Sequence, residues 1–172
     1  MRVRKKTTVA KIVSGGQTGA DRAALDAAID SGVPHGGWCP RGRRAEDGAI
    51  PEKYALKEAT STRYDQRTEL NVQGSDGTVV FAHGRPTGGS ALTVKLAKAH
   101  GKPLLELDLE RLTEDEATER LWRWMIDNGV AVLNVAGSRE SKAPGIGRTV
   151  QRIVRKTVLR STVLPFNRST VP

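Results

Sequence analysis

The chain has 172 residues, with 28 Lys and Arg against 19 Asp and Glu, for a formal charge of +9. That length fits one domain able to bury an ordinary core, no apolar stretch approaches the roughly 20 residues of a membrane span, and a lone cysteine, Cys39, excludes an intrachain disulfide or a cysteine-built zinc site. The basic excess points to an anionic ligand, to nucleic acid or to simple solubility.

In chain order, residues 1–8 form a basic tail without a secretory apolar region, so the chain reads as cytoplasmic. Residues 8–13 read as a strand, 19–31 as an Ala-rich helix and 34–38 as a short strand. The stretch 41–61 holds Gly42, Gly48 and Pro51, is the least regular of the chain, and reads as a mobile flap. A helix over 65–73, a strand over 78–82, a helix over 89–100 and a strand over 103–108 follow. The helix predicted over 113–128 carries a capping box in Thr113 and Glu116 and a stop at Gly129, with Leu121, Trp124 and Met125 at the spacing of a core stripe. A strand over 131–136 and a helix over 146–159 end the pattern. On that last helix Arg148, Arg152 and Arg155 lie opposite Ile146, Val150, Ile153 and Val154, as on an amphipathic surface helix. One domain over 9–160 is expected, with a loose tail over 161–172.

Strands such as Thr78-Val79-Val80-Phe81-Ala82 are continuously apolar, which fits a parallel sheet covered by helices on both faces. The fold class expected is α/β: a Rossmann-like three-layer α/β/α arrangement around a mainly parallel sheet of about five strands. Ligands of such sheets lie outside the carboxyl ends of the strands.

Two glycine-rich turns occupy that edge. The first is Ser14-Gly15-Gly16-Gln17-Thr18-Gly19-Ala20-Asp21 and the second Pro86-Thr87-Gly88-Gly89-Ser90, each between an apolar run and an Ala-rich segment. Glycine lets backbone approach an anion, and a helix starting just beyond points free N–H groups at it. Ser14, Gly15, Gly16, Gln17, Thr18 and Gly19, with Thr87, Gly88, Gly89 and Ser90, are therefore expected to hold a phosphate or oxyanion. The first turn approaches the dinucleotide fingerprint, with Ser14 in place of its first glycine, but the acid expected some 20 residues on is replaced by the basic run Arg41-Gly42-Arg43-Arg44. That replacement speaks against ordinary NAD binding, and a Walker loop, which needs Gly-Lys-Ser/Thr, is excluded. Arg41, Arg43, Arg44, Arg85, Arg139 and Lys142 fall on loops at the same edge; they either clamp an oxyanion or pair with Asp21, Glu46, Asp47 and Glu140. From this set Arg41, Arg43 and Lys142 are taken as ligand contacts. Asp21 either sits at a helix start for its dipole or orients a ligand hydroxyl. Trp38 and Cys39 read as packing residues, the three histidines lack metal-ligand spacing, and no metal ligand is assigned. RNA-binding aromatic signatures are absent, which ranks nucleic acid behind a small anionic ligand.

Over about residues 11–147 the chain resembles the molybdenum cofactor carrier protein family, part of the Rossmann-like superfamily that includes the Lonely Guy phosphoribohydrolases and DprA. The resemblance rests on Ser-Gly-Gly-Gln-Thr-Gly-Ala-Asp at 14–21, Gly-Trp-Cys-Pro-Arg-Gly-Arg-Arg-Ala-Glu-Asp-Gly at 37–48, and Arg67-Thr68-Glu69 with Asn71-Val72. It continues through Ser75-Asp76-Gly77-Thr78, Thr87-Gly88-Gly89-Ser90-Ala91-Leu92-Thr93, Asn134-Val135-Ala136-Gly137 and Ser141-Lys142-Ala143-Pro144-Gly145-Ile146. It implies a homo-oligomer that binds the molybdenum cofactor, a phosphorylated pterin (molybdopterin), without catalysis. The alternative is a nucleotide-binding sensor, or a phosphoribohydrolase-like enzyme acting on nucleoside monophosphates. Those hydrolases use a glutamate shortly after their second glycine turn; the matching position here is Lys95, so no catalytic residue is assigned unless Glu46 or Asp47 substitutes.

Overall fold

The strand over residues 77–82 is buried at all six positions, as expected for backbone sandwiched between helix layers. The computed structural model describes residues 9–162; the predicted tails at 1–8 and beyond 162 lie outside the described residues. The elements run β1 (Lys11–Val13), α1 (Ala20–Asp30), β2 (His35–Gly36), β3 (Trp38–Cys39), β4 (Arg44–Ala45), β5 (Gly48–Ala49), β6 (Lys57–Glu58), α2 (Tyr64–Gln73), β7 (Gly77–Ala82), α3 (Gly88–Ala99), β8 (Leu104–Asp108), α4 (Glu114–Asn128), β9 (Val132–Gly137) and α5 (Ile146–Thr162).

Five strands form one parallel sheet in the order β2-β1-β9-β7-β8. Helix α5 packs against α1 and α4, whereas α2 packs against α3, so helices cover both sides of the sheet and the fold is Rossmann-like. From β1 the chain crosses outward to β2, and from β7 it crosses the opposite way to β8. The strand order therefore reverses around β9, and the two glycine loops flank it. The core joins Ile12, Phe81, Leu133 and Leu121 to the small face of α1 (Ala20, Ala24, Ala27, Ala28) and the apolar face of α5 (Ile146, Val150, Ile153, Val154). The basic face of α5 is tied to the acidic start of α4: Arg152 meets Glu114 at 2.5 Å, Lys156 meets Asp115 at 2.9 Å, and Arg160 pairs with Glu119.

Three expectations change. The single strand over 34–38 is two strands, because Gly37 turns the chain at φ 126° with its α-carbon pressed on Ser14, whose carbonyl oxygen would lie 2.3 Å from any Cβ. Beyond that turn β3 leaves the main sheet and pairs with β6. The Asn71 side chain flanks β3, accepting from the Trp38 N–H at 2.8 Å and donating to the Trp38 carbonyl at 2.9 Å. The flap over 41–61 is held from within. The Arg43 guanidinium donates to the carbonyls of Ile50, Leu56, Pro51 and Tyr54, and Ile50 and Tyr54 close a small core on Leu25 and Cys39. Finally, α5 runs to Thr162 and so includes residue 161 of the expected tail, where the buried Ser161 donates to the Thr157 carbonyl.

Candidate functional site

Residues 14–19, between β1 and α1, are packed rather than open. Ser14 is fully buried and donates to the Val135 carbonyl of β9 at 2.6 Å. Gly15 is the floor under Arg67, whose guanidinium would lie 1.3 Å from a Cβ there. That guanidinium reaches 3.1 Å to Asp21, in the first turn of α1, with the two side chains only 13% and 5% exposed. The backbone N–H groups of Gly15 and Gln17 also donate to the Asp21 carboxyl. Burial pushes this carboxyl above its ordinary value, against the pull of Arg67 and those N–H donors. An internal carboxylate thus sits where a phosphate was expected.

A second carboxylate seals the same turn from above. The Gln17 side-chain carbonyl accepts from the N–H groups of Thr18 and Glu46. Glu46, at the tip of the β4–β5 hairpin, takes the Thr18 hydroxyl on one oxygen and the Ser141 hydroxyl, at 2.5 Å, on the other. These hydroxyls hold the Glu46 carboxyl below the usual carboxylate range. Next to it Asp47 receives both terminal nitrogens of Arg22, at 2.5 and 3.0 Å. Gly16 adopts φ 77°, its carbonyl accepts from Arg22, and a Cβ there would meet Leu56 at 2.6 Å. Gly19, at φ 78°, lies against the backbone of residues 138–140, with the Ser138 carbonyl 2.3 Å from any Cβ. A shallow depression between α1 and α5, lined in part by Thr18, Gly19, Arg22 and Gln151, draws its cationic side from this same Arg22, already spent on Asp47.

The turn after β9 is likewise occupied. Glu140 accepts from Gly145 N–H at 2.5 Å and Gly147 N–H at 3.1 Å, so the start of α5 is capped by its own acid. At α4 the capping box of Thr113 and Glu116 is complete and Gly129 closes the helix at φ 64°. At α2 the Asp65 side chain accepts from Gln66 N–H, and the Gln66 side chain accepts from Ser61 N–H.

Helix α3 differs. Its N-cap Thr87 makes no side-chain cap bond and its first turn holds no acid. Thr87, Gly88 and Gly89 are exposed, and nothing lies within 4 Å of a Cβ placed at either glycine. Ser90 is buried, its N–H spent on the Thr87 carbonyl. Asp108, at the end of β8, holds the preceding turn by accepting from Gly84 and Glu110 N–H groups, which keep its carboxyl below its ordinary value.

The rim cations separate accordingly. Arg43 donates to carbonyls inside the flap and lies 3.5 Å from Glu52. Arg41, Arg44, Arg85 and Lys142 are exposed and Arg139 is half-buried; none of these five makes an ion pair among the described residues. Cys39 is buried, and burial pushes its thiol up, which disfavours the thiolate. Among the described residues no group of three or more His, Cys, Asp or Glu is placed to hold a metal ion. Arg22 and Tyr64 were given no role from the sequence; Glu140 entered only as a pairing acid for the rim cations and Arg67 only within a motif. Nothing in the sequence tied Arg67 to Gly15, whose missing side chain leaves room for it.

A doubly wound parallel sheet with glycine turns on both sides of its reversal point defines a Rossmann-like protein. The chain belongs to the circularly permutated YpsA SLOG family, whose model matches residues 12–158. It is similar to the crystal structure, at 1.45 Å resolution, of a "putative molybdenum carrier protein" from Syntrophus aciditrophicus SB, with 45% identity, a TM-score of 0.86, and coverage of 90% of this chain and 98% of that one. No curated protein matches the chain significantly. No helix among the described residues is long and apolar enough to cross a membrane.

Proposed function

We propose that this protein is a non-catalytic carrier of the molybdenum cofactor, binding the phosphate of the phosphorylated pterin at the start of α3, at the carboxyl edge of the sheet. The observation that carries this reading is the contrast among helix starts: α1, α2, α4 and α5 each bring a side chain of their own to the N-terminal turn, and α3 brings none. Unpaired N–H groups and the positive end of the helix dipole favour an anion there. Thr87, Gly88 and Gly89 supply the cradle over the buried Ser90, whose N–H is already bonded, with Lys142 and Arg41 as outer cations. Residues 14–19 and Asp21 shape the neighbouring wall, where Ser14, the Thr18 N–H and Asp21 are already bonded within the chain and the buried Gln17 side-chain nitrogen has no partner. The donors present are N–H groups and cations, which suit phosphate and oxyanion oxygens.

The carboxylates that could have served a hydrolase are tied up, Glu46 by Thr18 and Ser141 and Asp47 by Arg22. Lys95 lies exposed on α3. Both facts favour a carrier over a phosphoribohydrolase. The resemblance to the family adds a cytoplasmic homo-oligomer.

Native mass spectrometry of protein purified anaerobically from its own host, with metal analysis of the same sample, tests the reading. A bound phosphorylated pterin accompanied by molybdenum is expected, together with the mass of an oligomer. A nucleotide without metal would instead support the sensor or hydrolase alternative.

A further inference from the structure

Arg139 is unlike the other basic residues of the rim. It is half-buried yet makes no ion pair among the described residues, and its guanidinium lies 5.5 Å from the centre of the Tyr64 ring. Its backbone is fixed: the Arg139 carbonyl accepts from the N–H groups of Lys142 and Ala143, and the peptide beside it packs on Gly19. Tyr64 opens α2, whereas Arg139 leads into α5; these two helices pack on different partners, α3 for the former and α1 with α4 for the latter. The contact therefore joins the end of β9 to the α2–α3 layer. Ser138, next to Arg139, donates to the Phe81 carbonyl of β7, the strand that leads to α3. Tyr64 also faces Arg67, at 5.7 Å, which Asp21 holds in place. Arg139 acts electrostatically on Glu46, whose two oxygens are taken by the Thr18 and Ser141 hydroxyls.

A half-buried guanidinium set over an aromatic face, with no carboxylate in ion-pair range among the described residues, is a preorganised anion donor. We infer that Arg139, positioned by Tyr64, is a second oxyanion seat, separate from the start of α3, which receives the molybdate-like end of the ligand. The inference rests on the carrier reading for its choice of oxyanion. Two seats on neighbouring strand ends select a ligand with two anionic ends over one with phosphate alone.

Equilibrium dialysis against molybdate, with metal analysis, measures this seat, and titration of a phosphorylated pterin followed by its fluorescence measures the other. Arg139→Ala should weaken molybdate binding about tenfold or more, the loss of a charge-assisted hydrogen bond. In a Gly89→Asp background, where the added charge keeps phosphorylated pterin and other anions from the start of α3, Arg139→Ala should still weaken molybdate binding about tenfold or more. Tyr64→Phe, which keeps the ring, should bind molybdate as the wild type does, and Tyr64→Ala should weaken it severalfold with little change in melting temperature. Equal molybdate retention by wild type and Arg139→Ala, or none by the wild type, overturns the seat. Failure of the wild type to bind the phosphorylated pterin overturns the carrier reading, leaving the molybdate result to stand or fall by itself.

Discussion

The two glycine turns look interchangeable as sequence and are opposites as structure. Around Gly15 and Gly16 the absent side chains make room for the protein's own groups: Arg67 fills the space above Gly15, Leu56 crowds Gly16, and Asp21 takes the backbone N–H groups. Around Gly88 and Gly89 nothing lies within 4 Å of a Cβ, and the first turn of the helix holds no acid. A glycine-rich turn thus marks where backbone must come close to something, without saying whether that is a ligand or another part of the chain.

The largest effect expected is at the closed turn. Arg67→Ala leaves Asp21 buried without its partner, and breaking such a pair costs about 3–5 kcal/mol. Thermal unfolding should fall by roughly 10 °C or more for a chain of this size; an unchanged melting temperature would mean that residues 14–19 are not sealed by this pair. Because burial raises the Asp21 carboxyl, its folded form takes up a proton more readily than the unfolded chain. Its contribution to stability is present at low pH and is lost as pH rises through that raised value.

Next comes the open turn. Gly89→Asp gives α3 the kind of acid that α1 and α5 already carry, so stability should hold or rise by about 0.3–1 kcal/mol, while the added charge repels a phosphate. A smaller effect is expected from Glu140→Ala, which uncaps α5 and should cost about 1 kcal/mol in chemical denaturation. If that variant instead gains affinity for small anions, a second helix start has been opened, which sharpens the contrast.

The smallest effect is a titration. Ser141→Ala removes the hydroxyl that does most to hold the Glu46 carboxyl low, so carboxyl NMR should find that group moved up toward its ordinary value. The sign follows: a lowered folded value adds stability above the unfolded carboxylate range and loses it as pH falls through the folded value. In Ser141→Ala that acid-side loss should shrink.

Much of the fold was legible in the sequence because it is written in local pattern. The unbroken apolar run at 78–82, the capping box at Thr113 and the stop at Gly129 are short-range signals that packing did not override. The site was less legible because its decisive contacts are long-range. Asp21 and Arg67 lie 46 residues apart, and Glu46 and Ser141 lie 95 apart. Charge was visible but direction was not: Arg41, Arg43 and Arg44 are near neighbours, yet Arg43 turns inward to satisfy four carbonyls while the other two face solvent. The divided strand at 34–38 hid in the same way, since Gly37 is needed by the approach of Ser14 and not by any local turn rule.

The most direct measurement is the affinity of a phosphorylated pterin for the wild type and for Gly89→Asp, with melting temperatures taken on the same samples. Binding to the wild type that drops at least about tenfold in a fully folded Gly89→Asp protein is the expected result. Equal affinity in the two proteins would contradict the start of α3 as the phosphate seat.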